Sequence, residues 1–262
     1  MTKRSFASGL ATAMAAVSLL SIAAVEGAVA EPLEVTVLTS VALNSALDEL
    51  GPQFERTTGN KLKIGYSLIV DIKKRIVAGE TADVIILSRP VMDELQKQEK
   101  FMPGSIADVA GTAVAVAVRA GAPKPDISSA DTLKRSLLAA KSIVYADPAK
   151  GGASGVHFAH VVDQLGIGEQ LKSKTILVPG AQAADVVAKG EAEIGIGQTS
   201  EIVPVSGAQL IGPLPGEFAK VTEFTAGIGA NSNAAEAAMS FILFLKSPAA
   251  VPVFKSKGLQ PG

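Results

Sequence analysis

The sequence predicts an α/β protein whose helices flank mainly parallel sheets in two lobes. Two observations lead to this fold class. From Leu33 onward, apolar β-branched runs alternate with amphipathic stretches, an order typical of strand and helix units in a parallel sheet. More than a dozen such elements follow the first 30 of the 262 residues, which is more than one hydrophobic core of ordinary size accommodates.

Strand and helix alternate three times in the first half of the chain. A β-branched run opens it, and apolar side chains then recur at helical spacing from Leu43 to Phe54. Pro90 falls in the first turn of the third helix, where its missing N–H costs no hydrogen bond. The predicted elements are a strand at 33–39, the helix from Leu43 to Phe54, a strand at 61–66, a helix at 71–78, a strand at 83–87, a helix at 90–98 and a strand at 112–118.

The alternation resumes after a polar, proline-containing stretch at 120–129, which we interpret as a boundary between lobes. Near the end of the chain, Asn231, Ser232 and Asn233 give a capping signal for a long apolar helix. The predicted elements are a helix at 130–140, strand 142–146, helix 154–165, strand 175–178, helix 181–189, strand 192–196, strand 221–228 and the capped helix.

The first thirty residues have the three regions of a secretory signal peptide. Lys3 and Arg4 precede an apolar stretch at 10–25, and Ala28-Val29-Ala30 supplies a small-residue cleavage site. The alternative is a membrane anchor, but the apolar stretch is short and rich in alanine and serine. We therefore expect export to the periplasm, cleavage after Ala30 and a mature chain that starts at Glu31.

Charge and cysteine content exclude several classes of function. Lys and Arg together number 24 against 25 Asp and Glu, and neither sign is concentrated in a block. A protein that binds nucleic acid by neutralising phosphates needs a basic surface, so no nucleic acid partner is expected. The absence of cysteine excludes disulfides, thiolate nucleophiles and thiolate metal sites.

Four loops fall where predicted strands end and helices begin. In an open α/β sheet this edge binds ligands, because helix N-termini present free N–H groups and the positive end of the helix dipole. The loops are 39–43, 67–70, 88–89 and the glycine-rich segment 147–156. Glycine clusters are also common in ordinary turns, so the last loop alone does not identify an anion site.

The order of these segments resembles the periplasmic molybdate-binding proteins, the substrate-binding components of bacterial ABC importers. The resemblance rests on Leu43-Asn-Ser-Ala-Leu47, Ile76-Val-Ala-Gly79 with Ala82-Asp83, the loop from Ala146 to Gly155, Ile194-Gly-Ile196 and Phe244 to Ala250. It implies a two-lobed type II periplasmic-binding fold with two crossing hinge strands. Lobe I would comprise 31–113 and 224–262, and lobe II would be the inserted 114–223.

The sequence departs from that family at the groups that hold the tetrahedral oxyanion. The resemblance implies serine hydroxyls after the first two strands and a tyrosine in the second lobe. Here these positions fall on Ala42, on Leu68 to Val70 and on Gln198. A desolvated oxyanion without these donors binds weakly, so we expect another anion or an organic carboxylate. Arg89, at the end of the third strand, is expected to face the cleft, where its planar fork suits a carboxylate.

The candidate ligand-binding residues lie in the four loops and at the ends of later strands. His157 and His160 are three residues apart on a predicted helix, but without a third ligand they predict no metal site, and no cofactor is expected. The candidates are Thr39, Ser40, Val41, Ala42, Ser67, Arg89, Ser154, Gly155, His157, Gln182, Gln198 and Thr199.

These features predict a monomeric solute-binding protein that closes two lobes over a small-molecule anion and delivers it to an ABC permease. No catalytic residue is predicted, because the sequence has no G-x-S-x-G, H-E-x-x-H or phosphate-loop motif. Two alternatives stay open: a periplasmic sensor that signals to a membrane kinase, and an exported hydrolase.

Overall fold

The computed structural model describes residues 1–2 and 32–262. The predicted signal peptide and its cleavage site therefore lie outside the described residues. Pro32–Gly262 forms one compact unit, within which two hydrophobic cores are built.

The first half of this unit contains four strands and three helices. A 3-10 turn at Val41–Leu43 connects the first strand to the first helix, and Ser40 caps it by accepting a hydrogen bond from the Ala42 N–H at 3.3 Å. The elements are β1 (Glu34–Ser40), α1 (Asn44–Thr58), β2 (Lys61–Ser67), α2 (Ile69–Val77), β3 (Val84–Ser88), α3 (Arg89–Gln96) and β4 (Ala107–Arg119).

The second half continues the alternation and ends in a helix pair. Its elements are α4 (Ala130–Ala139), β5 (Ile143–Ala146), α5 (Ala153–Leu165), α6 (Gly168–Lys172), β6 (Thr175–Val178), α7 (Ala183–Ala188), β7 (Ile194–Gln198), α8 (Thr199–Ile202), β8 (Ala208–Pro213), β9 (Val221–Ile228), α9 (Ala235–Leu245), α10 (Ala250–Ser256) and β10 (Gln260–Pro261).

The strands form one continuous, curled sheet in the order β2-β1-β3-β9-β4-β7-β5-β6. Pairs β1 with β2, β1 with β3, β5 with β6 and β5 with β7 are parallel. β4 and β9 form an antiparallel pair between these two groups of parallel strands. β4 also pairs with β7 and β8. The two crossing strands predicted near 112–118 and 221–228 are thus β4 and β9, and β4 takes part in both halves of the sheet.

Hydrophobic side chains pack on both faces of each half of the sheet. In β3, Val84 and Ile86 face the core under α1, α9 and α10, whereas Ile85 and Leu87 face the core under α2 and α3. A strand buried on both faces reads as a continuous apolar run, which is how these residues appear in the sequence. We call this part of the fold lobe I.

Lobe II is built in the same way around the second half of β4. Val114 and Val116 pack with residues of α4 and α5, and Ala115 and Ala117 face α7 and α8. The two-lobed α/β architecture with crossing strands confirms the predicted fold class. The predicted residue boundaries of the lobes stay a prediction.

Several elements differ from the predicted bounds. β4 begins at Ala107 instead of 112, because small residues there pair with β9 before the apolar run starts. β7 ends at Gln198, two residues past the predicted 196. The short elements α6, α8, β8 and β10 were absent from the prediction, since each carries too few apolar residues to form a recognisable run or period.

Within the described residues, no single helix is long and apolar enough to cross a membrane. The α9 and α10 pair satisfies length and composition only when joined, and its axes are bent by 62°.

Candidate functional site

A small cavity lies where elements of both lobes meet at the ends of their strands. Lobe I contributes the turn after β1 and the start of α2, and lobe II contributes the glycine-rich turn before α5 and the start of α8. The free volume is about 20 Å³, room for about one water molecule. The cavity is lined by Ser40, Val41, Ala42, Leu68, Ile69, Ala146, Gly151, Gly152, Ala153, Ser154, Gly180, Ala181, Gln198, Glu201 and Phe224.

Two helices begin at the cavity wall. α2 starts at Ile69 and α5 starts at Ala153, and no side-chain hydrogen bond caps either N-terminus. The first N–H groups of a helix have no partner within the helix, and the dipole of the helix makes this end positive. The two helix starts therefore supply a favourable potential for an anion from opposite lobes.

The position of α5 depends on a close backbone approach at Gly155. A Cβ atom at this residue would lie 1.9 Å from the carbonyl oxygen of Ala146, the last residue of β5. Only glycine fits there, so the first turn of α5 rests directly on the end of the strand. This contact places Ser154, which is buried, in the cavity wall.

The two lobes touch at Gly151 and Val70. Gly151 has φ +77°, and a Cβ atom there would lie 2.8 Å from Val70 Cγ1. The side chain of Val70, in the first turn of α2, is thus packed against the backbone of the lobe II turn. The cavity is closed on this side.

Glu201 is the one charged residue in the cavity lining of the described structure. It is partly buried, and its Oε2 accepts a hydrogen bond from the backbone N–H of Gln198 at 3.0 Å. Desolvation of the carboxyl raises the pKa of Glu201 to about 7, although the hydrogen bond from Gln198 opposes the shift. The carboxyl therefore exchanges its proton near neutral pH.

The side-chain amide of Gln198 has one atom without a hydrogen-bond partner among the described residues. Its side chain is 2 % exposed, and Nε2 donates to Thr222 Oγ1 at 3.2 Å. Among the described residues, Oε1 has no hydrogen-bond partner. Leaving a buried amide oxygen unpaired costs free energy, so a ligand that satisfies it is favoured.

A larger open groove of about 600 Å³ adjoins the cavity. Glu201 lies on the wall of both, as do Val41 and Leu68. The groove also contains Asp48, whose Oδ1 accepts a hydrogen bond from the Tyr66 hydroxyl at 2.7 Å, and Asp185. No Lys, Arg or His occurs in the described lining of the cavity or the groove.

The structure brings some of the candidate residues together. Five of them line the cavity: Ser40, Val41, Ala42, Ser154 and Gln198. Val41 also lines the groove, together with Ser67 and Gln182. Most of them lie at the ends of β1, β2 and β7, whereas Ser154 and Gln182 lie at the starts of the helices that follow β5 and β6, as expected for an α/β sheet.

Arg89 lies elsewhere. Its guanidinium pairs with the Asp108 carboxylate, and Arg89 is outside the lining of the cavity and groove. Asp108 also accepts a hydrogen bond from Thr225 Oγ1 at 2.8 Å. Desolvation opposes the shift, but the hydrogen bonds from Thr225 and Arg89 hold the pKa of Asp108 below its usual value. The guanidinium is thus already engaged by a carboxylate of the protein itself.

Four other candidates lie behind the cavity surface. Thr39 is fully buried, and Gly155 is turned toward Ala146. The Nε2 atom of His157 lies 2.8 Å from the Phe218 carbonyl oxygen. Thr199 Oγ1 donates to the Gly258 carbonyl at 2.6 Å. These residues support the walls and do not line the cavity.

Sequence reasoning missed Glu201, Phe224 and the turn at Gly180 and Ala181. A signal for Glu201 was present, because an acidic residue three positions after the end of a buried strand is typical of the first turn of a helix. Phe224 gave no signal of its own, since its strand reads as core. In the described part of the chain, no group of three His, Asp or Glu side chains is placed to hold a metal ion.

The family model for bacterial extracellular solute-binding protein matches residues 35–260. A curated relative from Pseudomonas sp, named aconitate isomerase, is 32% identical over 86% of this chain and 87% of its own length. The molybdate-binding protein ModA of Escherichia coli K12 is 25% identical over 91% of this chain and 93% of its own.

Among solved structures, the periplasmic molybdate-binding protein of Azotobacter vinelandii superposes with a TM-score of 0.70. It is 21% identical, and the match covers 86% of this chain and 98% of that one. Likeness at this identity shows the fold, which is the type II periplasmic-binding fold that the sequence predicted. It does not show the ligand.

Proposed function

Because this chain belongs to the family of bacterial extracellular solute-binding proteins, we propose that it is the substrate-binding component of an ABC importer and binds a small organic carboxylate. The observation that carries the ligand class is the cavity lining. It combines two helix N-termini with aliphatic side chains and one carboxyl of near-neutral pKa. The carboxylate group of a ligand fits the helix starts, and its carbon skeleton fits the aliphatic wall.

A tetrahedral oxyanion fits this lining less well. Ser40 and Ser154 are the hydroxyl-bearing residues of the described lining, so two side-chain O–H donors at most face an oxyanion there. Val41, Leu68 and Ile69 offer no donor side chain. Each missing charge-assisted hydrogen bond weakens binding by about 1.5 to 3 kcal/mol.

A ligand of several atoms requires the lobes to separate. The cavity holds about one water molecule, and Val70 packs against Gly151 of its wall. We therefore propose an equilibrium between open and closed forms, in which the ligand binds the open form and stabilises a closed one. The crossing strands β4 and β9 are where the chain passes between the lobes.

We also propose a location and a partner, which membership of this family supports. The protein acts in the periplasm as a monomer, delivers its ligand to an inner-membrane permease, and loses the segment that ends at Ala30. The basic, apolar and small-residue regions of that segment support removal. N-terminal sequencing of the exported protein is expected to start at Glu31, and a chain that keeps Met1 in the membrane fraction would contradict export with cleavage.

The ligand class is tested by titration calorimetry with a panel of probes. The panel contains trans-aconitate, citrate, tricarballylate, succinate, molybdate and sulfate, each measured at pH 6. We expect at least one carboxylate to bind at least tenfold more tightly than molybdate. Molybdate binding that is tighter than that of every carboxylate would overturn the ligand class and leave the transport assignment intact.

A second candidate function is isomerisation of an unsaturated carboxylate. Two observations favour it: the 32% identical relative is named aconitate isomerase, and a carboxyl with a pKa of about 7 lies in the cavity wall. A group with this pKa both accepts and returns a proton near pH 7, as a double-bond shift requires. Incubation of trans-aconitate with the protein, followed by NMR, separates the candidates, because a binding protein leaves the compound unchanged.

A further inference from the structure

The cavity presents a charge problem for the proposed ligand. The described lining has a carboxyl at Glu201 and no Lys, Arg or His side chain. Two carboxylates in contact at low local dielectric repel each other unless they share a proton. Helix N-termini offset part of this repulsion, but they do not remove the charge on Glu201.

Neighbouring elements supply no cation to Glu201. α8 packs against β4, β7, β8, α7 and the Val41–Leu43 turn. The charged residues of these elements are Asp185 in α7, which lines the groove, and Asp108 and Arg119 in β4. Asp108 is paired with Arg89, and Arg119 lies against Gly190 in a separate pocket. Beyond the turn, Asp48 adds a further acid to the groove.

We propose that Glu201 binds the ligand as a neutral acid, donating a hydrogen bond to a ligand carboxylate, so that the protein takes up one proton with each ligand. This inference rests on the proposed ligand class. An O–H donor facing a carboxylate makes a short, charge-assisted hydrogen bond.

The pKa of Glu201 supports this reading, because the free protein already holds the carboxyl close to half protonated at neutral pH. A bound carboxylate raises that pKa further, since like charge disfavours ionisation. Below about pH 6, Glu201 is protonated both before and after binding, so ligand affinity does not change with pH through this group. Above about pH 7, each ligand brings a proton with it, and affinity falls by up to tenfold per pH unit.

The test compares the wild type with Glu201→Gln, which keeps a neutral hydrogen-bond donor at this position. Calorimetry with trans-aconitate from pH 7.5 to pH 9 uses buffers of different ionisation enthalpy, and the ligand carboxyls are ionised throughout. The wild type is expected to lose affinity as the pH rises, by up to about tenfold per pH unit, and to take up as much as one proton. Glu201→Gln is expected to change less than twofold over the range and to take up none.

Asp185→Asn is the matched control, because Asp185 lines the groove but not the cavity. It is expected to reproduce the wild-type pH dependence. Wild-type affinity that does not change with pH would overturn the inference, and this measurement needs no variant. Affinity that rises with pH would also overturn it, because such a rise is expected when the ionised form of Glu201 is the one that binds the ligand. If no carboxylate in the panel binds at pH 6, the proposed ligand class fails, whereas binding without proton uptake refutes the inference alone.

Discussion

Glycine at position 155 is required by a distance between backbone atoms. The Ala146 carbonyl occupies the space that a side chain would need, and neither β5 nor α5 can move without disturbing the core of lobe II. A residue that does not line the cavity thus fixes where Ser154 lies. Such a residue is easily mistaken for a ligand contact, because it lies in the same loop.

Gly155→Ala is expected to lower the free energy of unfolding by about 3 kcal/mol, at the upper end of the usual cost of overpacking, because the clash is with backbone. Urea unfolding measures the change. Gly168→Ala is the control, since its nearest atom would be Val162 Cγ1 at 3.9 Å and alanine is a better helix former. It is expected to be neutral or to stabilise by up to about 1 kcal/mol. Equal losses in both variants would contradict the backbone clash.

Arg89 is a residue that the sequence placed at the cavity and the structure places elsewhere. Arg89 lies next to the end of β3, as expected, but no local pattern indicated that its guanidinium would pair with Asp108, nineteen positions later. The pairing depends on β9 lying between β3 and β4, which is a property of strand order and not of local sequence.

Arg89→Ala is expected to change carboxylate affinity by less than about threefold and to cost about 0.5 to 1 kcal/mol of stability, because the ion pair is partly exposed. Calorimetry and urea unfolding measure the two effects. Arg75→Ala is the matched control for the loss of an exposed ion pair, since Arg75 pairs with Glu80 near the end of a helix. A tenfold loss of affinity in Arg89→Ala alone would restore Arg89 as a ligand contact.

At the scale of elements, segments that carry an apolar run or an apolar period could be predicted, and segments without one could not. β1, α1, α5 and β9 lie close to their predicted bounds, and the four-residue β6 was recognised by its apolar run. α8 has four residues and was missed, yet it carries Glu201. Ligand-lining residues on such short elements are placed by tertiary contacts, so local pattern does not reveal them.

α8 is held in place by a hydroxyl that connects three segments. Thr199 Oγ1 donates to the Gly258 carbonyl, lies 2.9 Å from Thr112 Oγ1 and accepts from the Ala113 N–H. These groups belong to β4 and to the segment after α10. The start of α8 is therefore tied to lobe I at the crossing strands.

Thr199→Val preserves the shape of the side chain but leaves the Gly258 carbonyl and the Ala113 N–H without this partner. We expect a loss of about 1 to 3 kcal/mol in the free energy of unfolding, the cost of unsatisfied buried groups. Thermal and urea unfolding measure it. Thr57→Val, at an exposed threonine bonded to Gln53, is expected to change stability by less than about 0.5 kcal/mol. A Thr199 variant as stable as the Thr57 variant would show that the bridge contributes nothing.

At the scale of the whole molecule, the two-lobed architecture follows from the alternation of strands and helices, but the closed cavity does not. Its walls come from segments as far apart as Ser40 and Phe224. The contact of Val70 with Gly151 joins two loops whose meeting depends on the angle between the lobes. No local feature of the sequence encodes that angle.

Small-angle X-ray scattering is expected to give a smaller radius of gyration when the protein is saturated with a carboxylate that binds it. The reason is that the closed cavity is too small to admit the ligand, so the free protein must open. Molecules of the panel that do not bind serve as controls and should leave the radius unchanged. An equal radius with and without bound ligand would contradict closure.

The division of the cores along the chain also determines when each lobe can fold during synthesis. The main core of lobe II packs Val114 with Phe218, so all of it is present once that segment has been made. The core of lobe I packs Val35 and Leu47 against Phe241 and Phe254, near the other end of the chain. Contacts this distant in sequence form slowly. Lobe I therefore stays unfinished until the last helices have been synthesised.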